Sequence, residues 1–387
     1  MKARNLVALA GAAVVTLGFA LWQNTQRTPD TESASGALLI PDLKAKINDL
    51  SEVRLVKRGA ESAVTLNKAE GGWVVAEKDN YPADVGKLRK SLLDLADAKV
   101  LENKTSKPEL YARLGVEDMT ASEAAGSQIE LKGMDAPMSV IIGKTAQGAN
   151  GTYARIVDEE QSVLVSGRLT FDTEPLNWLQ RDIINIAAGR VQEIRISQPG
   201  GELLTASKAG RDQQHFAVGD LPDGRELESP GSVNNLASVL GNLRLDDVKA
   251  VSEISVDEKE PVETVVSTFD GLVVTGKAFE LDGKQHAAFA AKFDAEQAQR
   301  FSEEPHGEEE PSGENAEGKT GDQASAADHD KIKKEAEQIN ARLGDWVFQI
   351  PNFKYENLTK KMDDLLKPLE EEPESAAEAP PEDKPES

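Results

Sequence analysis

Apolar positions near the start of the chain's long polar-rich body follow two different periods. In INDLSEVRLVKRG, Val53 and Leu55 alternate with charged neighbours, ESAVTLNKA repeats the alternation at Val64 and Leu66, and GGWVVAEK comes after a Gly-Gly turn. Alternation with period two predicts three short strands in a meander. The period then changes. Val85, Leu88, Leu92 and Leu95 are spaced three, four and three apart behind Pro82 and Asp84, which predicts an amphipathic helix capped by Asp84. Val100 and Leu101 begin another strand.

The same pattern returns further along the chain. Val233, Leu236, Leu240, Leu243 and Val248 stand 148 positions after Val85, Leu88, Leu92, Leu95 and Val100, with Ser232 in the place of Asp84. Upstream, Val191, Ile194 and Ile196 stand 141 after Leu50, Val53 and Leu55, and Phe216 and Val218 take the places of Trp73 and Val75. A helix that brings its preceding strands along indicates a duplicated unit. Downstream, Val140 to Leu169 reads as strand, glycine turn, strand, turn, strand. Leu272 to Asp294 supplies the first two of these again, and Trp346 to Phe353 the last. Gly143 and Gly276, each followed by lysine, mark an expected tight turn common to both copies. The connection Asn103 to Gly126, containing LYARLGVED, belongs to the first copy alone, and additions on a duplicated frame are places to look for function.

The ends and one insertion stand apart. MKARNLVALAGAAVVTLGFALWQNTQR places Lys2 and Arg4 before an uncharged run whose apolar core is Leu6 to Trp22. That length suits a short transmembrane anchor, with a cleaved signal peptide as the alternative, and the leading charges direct everything after about Gln23 out of the cytoplasm. Residues 302–330 and 367–387 are rich in Glu, Pro, Ser and Ala, a composition expected to be disordered. The expected organisation is therefore an anchor at 1–24, a spacer at 25–37, a first repeat at 38–185, a second at 186–366 and an acidic tail. The fold class is α+β, with tandem domains that each lay an amphipathic helix on a mostly antiparallel sheet.

Composition narrows the chemistry. A net charge of -24 repels phosphates, so nucleic acid is not an expected partner, and the absence of cysteine removes disulfides and thiolate sites. GENAEGKT, Gly313 to Thr320, satisfies the P-loop spacing but lacks the apolar strand before it that a phosphate cradle needs. His215 and His286 are expected at the surface or in turns, and His306 and His329 flank the acidic insertion. The neighbouring carboxylates Asp246 and Asp247, and Asp363 and Asp364, point apart if they share an element. No catalytic, cofactor-binding or metal-binding residue is assigned from these patterns.

Three segments in order, LYARLGVED (Leu110 to Asp118), VIIGKTAQGANGTYARI (Val140 to Ile156) and LQRDIINIAAGRVQEIRI (Leu179 to Ile196), resemble the bacterial family called domain of unknown function 4340, over about Leu38 to Leu366. Here Ala112 and Arg113 separate Tyr111 from Leu114, and Val116 replaces a usual leucine. The resemblance implies a membrane-anchored protein of the bacterial inner membrane, single-pass with its bulk in the periplasm, associated with ABC-type transporter components of the gliding-motility or auxiliary-transport kind. It implies no catalytic residues. The expected function is that of a non-enzymatic accessory or scaffold protein. The alternative is a periplasmic binding module for an envelope glycan or small ligand seated between the repeats.

Overall fold

A computed structural model describes residues 36–59, 61–148, 150–302 and 321–368. The apolar N-terminal segment, most of the spacer and the acidic tail lie outside the described residues. Among the described residues, no helix is long and apolar enough to cross a membrane. The chain divides into two compact units between Gln180 and Arg181.

In unit 1 the chain runs through a short helix α1 (Leu43–Lys46), then β1 (Glu52–Lys57), β2 (Glu61–Ala69), β3 (Gly72–Val75), β4 (Tyr81–Pro82) and α2 (Val85–Ala96). Next come β5 (Val100–Asn103), a one-turn helix α3 (Tyr111–Leu114), β6 (Ser127–Lys132), β7 (Met138–Thr145), β8 (Gly151–Ile156) and β9 (Ser162–Ser166). All nine strands form one antiparallel sheet in the order β4-β3-β2-β1-β6-β7-β8-β9-β5. Gly36 and Ala37, expected in the spacer, already bond to Val100 on the outer edge of β5.

Unit 2 contains β10 (Asp182–Ile184), β11 (Val191–Ser197), β12 (Leu203–Ser207), β13 (Ala217–Val218), α4 (Pro230–Leu236), β14 (Leu243–Arg244), β15 (Asp247–Ala250) and β16 (Val262–Thr268). It continues with β17 (Leu272–Leu281), β18 (Lys284–Phe293), α5 (Ala295–Ser302), α6 (Gly321–Leu343), β19 (Trp346–Gln349) and α7 (Asn352–Leu358). Its main sheet has the order β13-β12-β11-β16-β17-β18-β19-β15, the order of unit 1 from β3 to β5 repeated strand for strand. The registers match as well. Val53 pairs with Leu66, and Leu66 with Val75; their counterparts Ile194, Ala206 and Val218 pair in the same way. The sequence pattern closes the first repeat at 185, whereas the compact unit closes at Gln180, because β10 pairs with β14 of the second unit.

The two covering helices are less alike than their sequences. In α2, Asp84 accepts a hydrogen bond from the Lys87 amide at 2.9 Å, and Leu88, Leu92 and Leu95 are buried. Val85 is 48% exposed, so the stripe holds three residues rather than four. Each contributes about 1.5–3 kcal/mol on burial. The start of α2 is fixed by the fully buried Trp178, whose carbonyl takes the Asp84 amide at 2.7 Å and whose indole N–H donates to the Asp172 carbonyl at 2.7 Å. In unit 2 the cap is Ser229, not Ser232, and α4 ends at Leu236. The chain continues through turns with hydrogen bonds between residues three apart, and Asn242 adopts a left-handed φ of 47°. Leu240 and Leu243 remain buried, but in a turn and a strand. The buried Lys354 of α7 donates to the Ser238 and Gly241 carbonyls at 2.8 and 2.7 Å, taking two acceptors that a longer helix would have satisfied internally.

Part of the expected disordered insertion is regular structure. Ser302 closes α5, and 321–330 opens α6; residues 303–320 lie outside the described ones. Phe301 is buried, with its ring edge-on to Phe269 at 5.1 Å. Strand β19 pairs with β18 only at His286 and Ala287. Further along that edge, the Asn340 carboxamide of α6 accepts from the Ala291 amide and donates to its carbonyl, both at 2.7 Å.

His286, expected at the surface or in a turn, lies inside β18 with 3% exposure and stacks on Phe279 at 6.0 Å. Burial pushes its imidazole below the usual histidine range. The unfolded chain therefore takes up a proton near pH 6.5 while the folded chain does not, and stability contributed by the neutral ring is full above that pH and falls as pH drops below it. Replacing His286→Gln should flatten this slope, read as the difference in melting temperature between pH 7 and 5.5. Denaturant titration should show Leu92→Ala losing about 2–5 kcal/mol and Val85→Ala staying within about 0.5 kcal/mol of the parent.

Candidate functional site

A strand alternates its side chains between two faces, and the face of the unit 1 sheet carrying Val53, Leu55, Ile129 and Val140 is buried. On the opposite face, cross-strand pairing lines up Val56, Gln128, Ile141, Arg155 and Ser162 across five neighbouring strands. Two of these are apolar and one is a buried cation, so the row needs a cover. The connection 103–126 supplies it. Tyr111, Val116, Met119 and Ala124 form a second small core with Val56 and Ile141. The matching row in unit 2 reads Ser197, Glu263, Lys277 and Ala288, which is polar enough to stand without such a lid.

The local sequence explains how the connection docks. The single turn α3 ends at Gly115, whose φ of 73° turns the chain back, with its amide bonded to the Tyr111 carbonyl at 2.9 Å. This brings the backbone of Leu114 and Gly115 onto β7 at Gly143. A Cβ on Gly143 would stand 2.4 Å from the Leu114 carbonyl oxygen and 2.9 Å from that of Gly115. Gly126 is equally tight, 2.4 Å from the Gly115 oxygen. Gly143 is thus a contact point inside a strand, not the expected turn. Nor is Gly276 its counterpart: by strand register Gly276 matches Val140, and Gly143 matches Phe279.

Arg155 is the centre of the arrangement, with 3% exposure. Its Nε donates to the Val116 carbonyl at 3.0 Å, Nη1 to the carbonyls of Val157 and Glu159 at 3.0 and 3.2 Å, and Nη2 to the Asp118 carboxylate. The guanidinium also lies 4.6 Å from the Tyr111 ring centre. The Tyr111 hydroxyl donates to the Glu160 carbonyl at 2.5 Å, and burial raises its pKa above the ordinary phenol value, with Arg155 opposing and nearby carboxylates adding to the rise. One side chain therefore ties the connection, β8 and the turn after β8 together.

These elements line an open pocket of ≈ 460 Å³. Its wall includes Tyr111, Arg155 and five carboxylates, Glu117, Asp118, Asp158, Glu159 and Glu160. Glu117 Oε2 is buried and has no hydrogen-bond partner. The arrangement can hold and orient a polar ligand. Among the described residues, no group of three or more histidine, aspartate or glutamate side chains is placed to hold a metal ion.

Residues 73–264 match the family described as domain of unknown function (DUF4340). The match covers just under half of the chain and supports placement with an uncharacterised family. The DUF4340 segment runs from β3 to β16 and so contains α2, the connection 103–126 and every residue of the cavity wall named above. No curated protein and no solved structure matches the chain.

Other residues singled out in the sequence do not converge. His215 is exposed and bonded to Asn234, His329 lies beside the Phe293 ring at 5.4 Å, and His306 and the GENAEGKT stretch are outside the described residues. Asp364 accepts from the Lys361 amide and Asp363 lies 3.9 Å from Arg225, both in surface contacts. Arg155 and Glu117 are not singled out by the sequence pattern. The signal for Arg155 is present as a charge in the alternating strand TYARI, but only the cover identifies that position as interior.

Adding one methyl group tests the docking. Gly143→Ala should cost about 1–3 kcal/mol, as overpacking against a backbone that cannot yield, and should increase amide hydrogen exchange across 110–120. Gly71→Ala, where nothing lies within 4 Å, should change neither.

Proposed function

We propose that this protein is a non-enzymatic accessory protein of the bacterial envelope, held by its N-terminal apolar segment and presenting the two units in the periplasm to an ABC-type transport complex. The observation that carries the reading is the asymmetric elaboration of a duplicated frame: one strand order serves both units, and unit 1 adds the apolar cover 103–126, beside an open pocket of ≈ 460 Å³. A frame copied whole and then decorated on one side is a short route to a recognition surface. The tether rests on Lys2 and Arg4 preceding the run Leu6 to Trp22, which favours export of the residues after Trp22. The transport partner rests on the family resemblance.

The cavity also favours a second reading, a periplasmic binding module for a small polar ligand, with the ligand seated within unit 1.

Photo-crosslinkers placed at exposed positions such as Lys107 and Thr120, activated in intact cells, should capture inner-membrane transporter subunits. Capture of soluble periplasmic proteins alone would overturn the scaffold reading. Protease added to spheroplasts should digest the protein, whereas protection until lysis would overturn its placement outside the cytoplasm.

A further inference from the structure

At one sheet edge the duplicated frame matches down to single hydrogen bonds, and then the match stops. In unit 1 the Asp84 amide donates to the Trp178 carbonyl at 2.7 Å and the Gln180 amide to the Pro82 carbonyl at 3.0 Å. In unit 2 the Glu228 amide donates to the Leu365 carbonyl at 2.8 Å and the Lys367 amide to the Glu226 carbonyl at 2.9 Å. The bridge between Ala83 and Leu179 is repeated between Leu227 and Leu366. Residues 226–228 therefore stand where 82–84 stand, and Arg225 stands where Tyr81 does. In unit 1 the same segment also pairs, as β4, with the outer edge of β3: the Asn80 amide donates to the Val75 carbonyl at 3.1 Å and the Ala83 amide to the Trp73 carbonyl at 2.8 Å. Unit 2 lacks this second pairing, and β13 ends its sheet.

The edge left in unit 2 has backbone groups to offer. The Gly219 amide turns inward to the Thr205 carbonyl at 2.9 Å, so Phe216 and Val218 direct theirs outward by alternation. Asn234 Oδ1 takes the Phe216 amide at 3.2 Å. Among the described residues, no hydrogen bond reaches the Phe216 carbonyl or either backbone group of Val218 from that side. The chain's own loop does not fill the place, since residues 219–224 are all exposed. A side chain is missing as well. Tyr81 lies opposite Val75 with 2% exposure, whereas Arg225 donates through Nη2 to the Lys367 carbonyl at 3.0 Å instead.

We propose that the outer edge of β13 accepts an extended segment of a partner polypeptide, which adds to the sheet as β4 adds to β3 and seats an aromatic side chain opposite Val218. Unit 1 supplies the template for the occupant: antiparallel direction, register, and a ring at the position of Tyr81. In strand addition the backbone ladder gives affinity and the alternate side chains give specificity. The inference concerns this edge alone and holds whether or not the partner belongs to a transporter.

The probe is the capped synthetic peptide KDNYPAD, the sequence of residues 78–84, added to the full-length protein in detergent. Amide hydrogen exchange resolved to single residues should show Val218 exchanging freely before addition and at least about tenfold more slowly at saturation, with a dissociation constant of about 1 mM or tighter. The same peptide with alanine in place of tyrosine should bind about tenfold more weakly. Val218→Pro removes the outward N–H while Ala217 and Gly219 keep the inward ladder, and it should abolish binding. Should that variant melt early, a graft of residues 76–82 in place of 219–226 serves instead: it closes the edge from within, raises the melting temperature and excludes the peptide. Protection of the Val218 amide before any peptide is added would show that the edge is already closed by the chain itself or by a second copy, and would overturn the proposal. So would absence of saturable binding, or undiminished binding by the Val218→Pro variant.

Discussion

A sheet has two faces, and each must be either covered or polar. This constraint organises both units. Their shared strand order gives each one face of alternating apolar residues. Unit 1 lays α2 on that face, with Leu88, Leu92 and Leu95 buried, while unit 2 uses the shorter α4, the buried turn that succeeds it and α7. The second faces diverge. Where unit 1 writes Val56, Ile141 and Arg155, unit 2 writes Ser197, Lys277 and Ala288 at the paired positions, and only the first row requires a lid. The cavity exists because of that difference.

Arg155 links the fold to the site. Its fork reaches carbonyls on both sides of the sheet row, and removing it would leave Val116, Val157 and Glu159 without that donor. Lysine could not replace the geometry, since one ammonium offers no planar fork. The pair with Asp118 is half in solvent, the carboxylate side chain being 61% exposed, so its electrostatic share is modest and the carbonyl contacts matter more.

Much of the frame is legible in the order of residues alone. Alternation at Val53, Leu55, Val64 and Leu66 locates the first strands, and the recurrence of Leu88 and Leu92 as Leu236 and Leu240 locates the copy. Periodicity fails where backbone breakers intervene: α4 stops early amid Asn234, Asn235 and Gly241, although the apolar residues beyond it are still buried. It also fails at α6, whose first ten residues share the composition of the acidic insertion while Ala336, Ile339 and Leu343 anchor its far end. The site is the least legible part. Gly143 reads in sequence as a turn glycine, and only the approach of the Leu114 carbonyl reveals why a side chain is excluded there. Glu117 is one acid among many until its oxygen is found without a donor.

The Asn340 contact with Ala291 has a meaning for how unit 2 behaves among other molecules. A carboxamide presents the same donor and acceptor as a peptide group, so this single side chain imitates one residue of a neighbouring strand at the stretch of β18 that β19 does not reach. An unclaimed rung of that kind is where a foreign chain would add itself and begin an aggregate. By occupying the rung with a helix, which cannot be extended sideways by further strands, the fold covers that stretch of β18 without adding a strand.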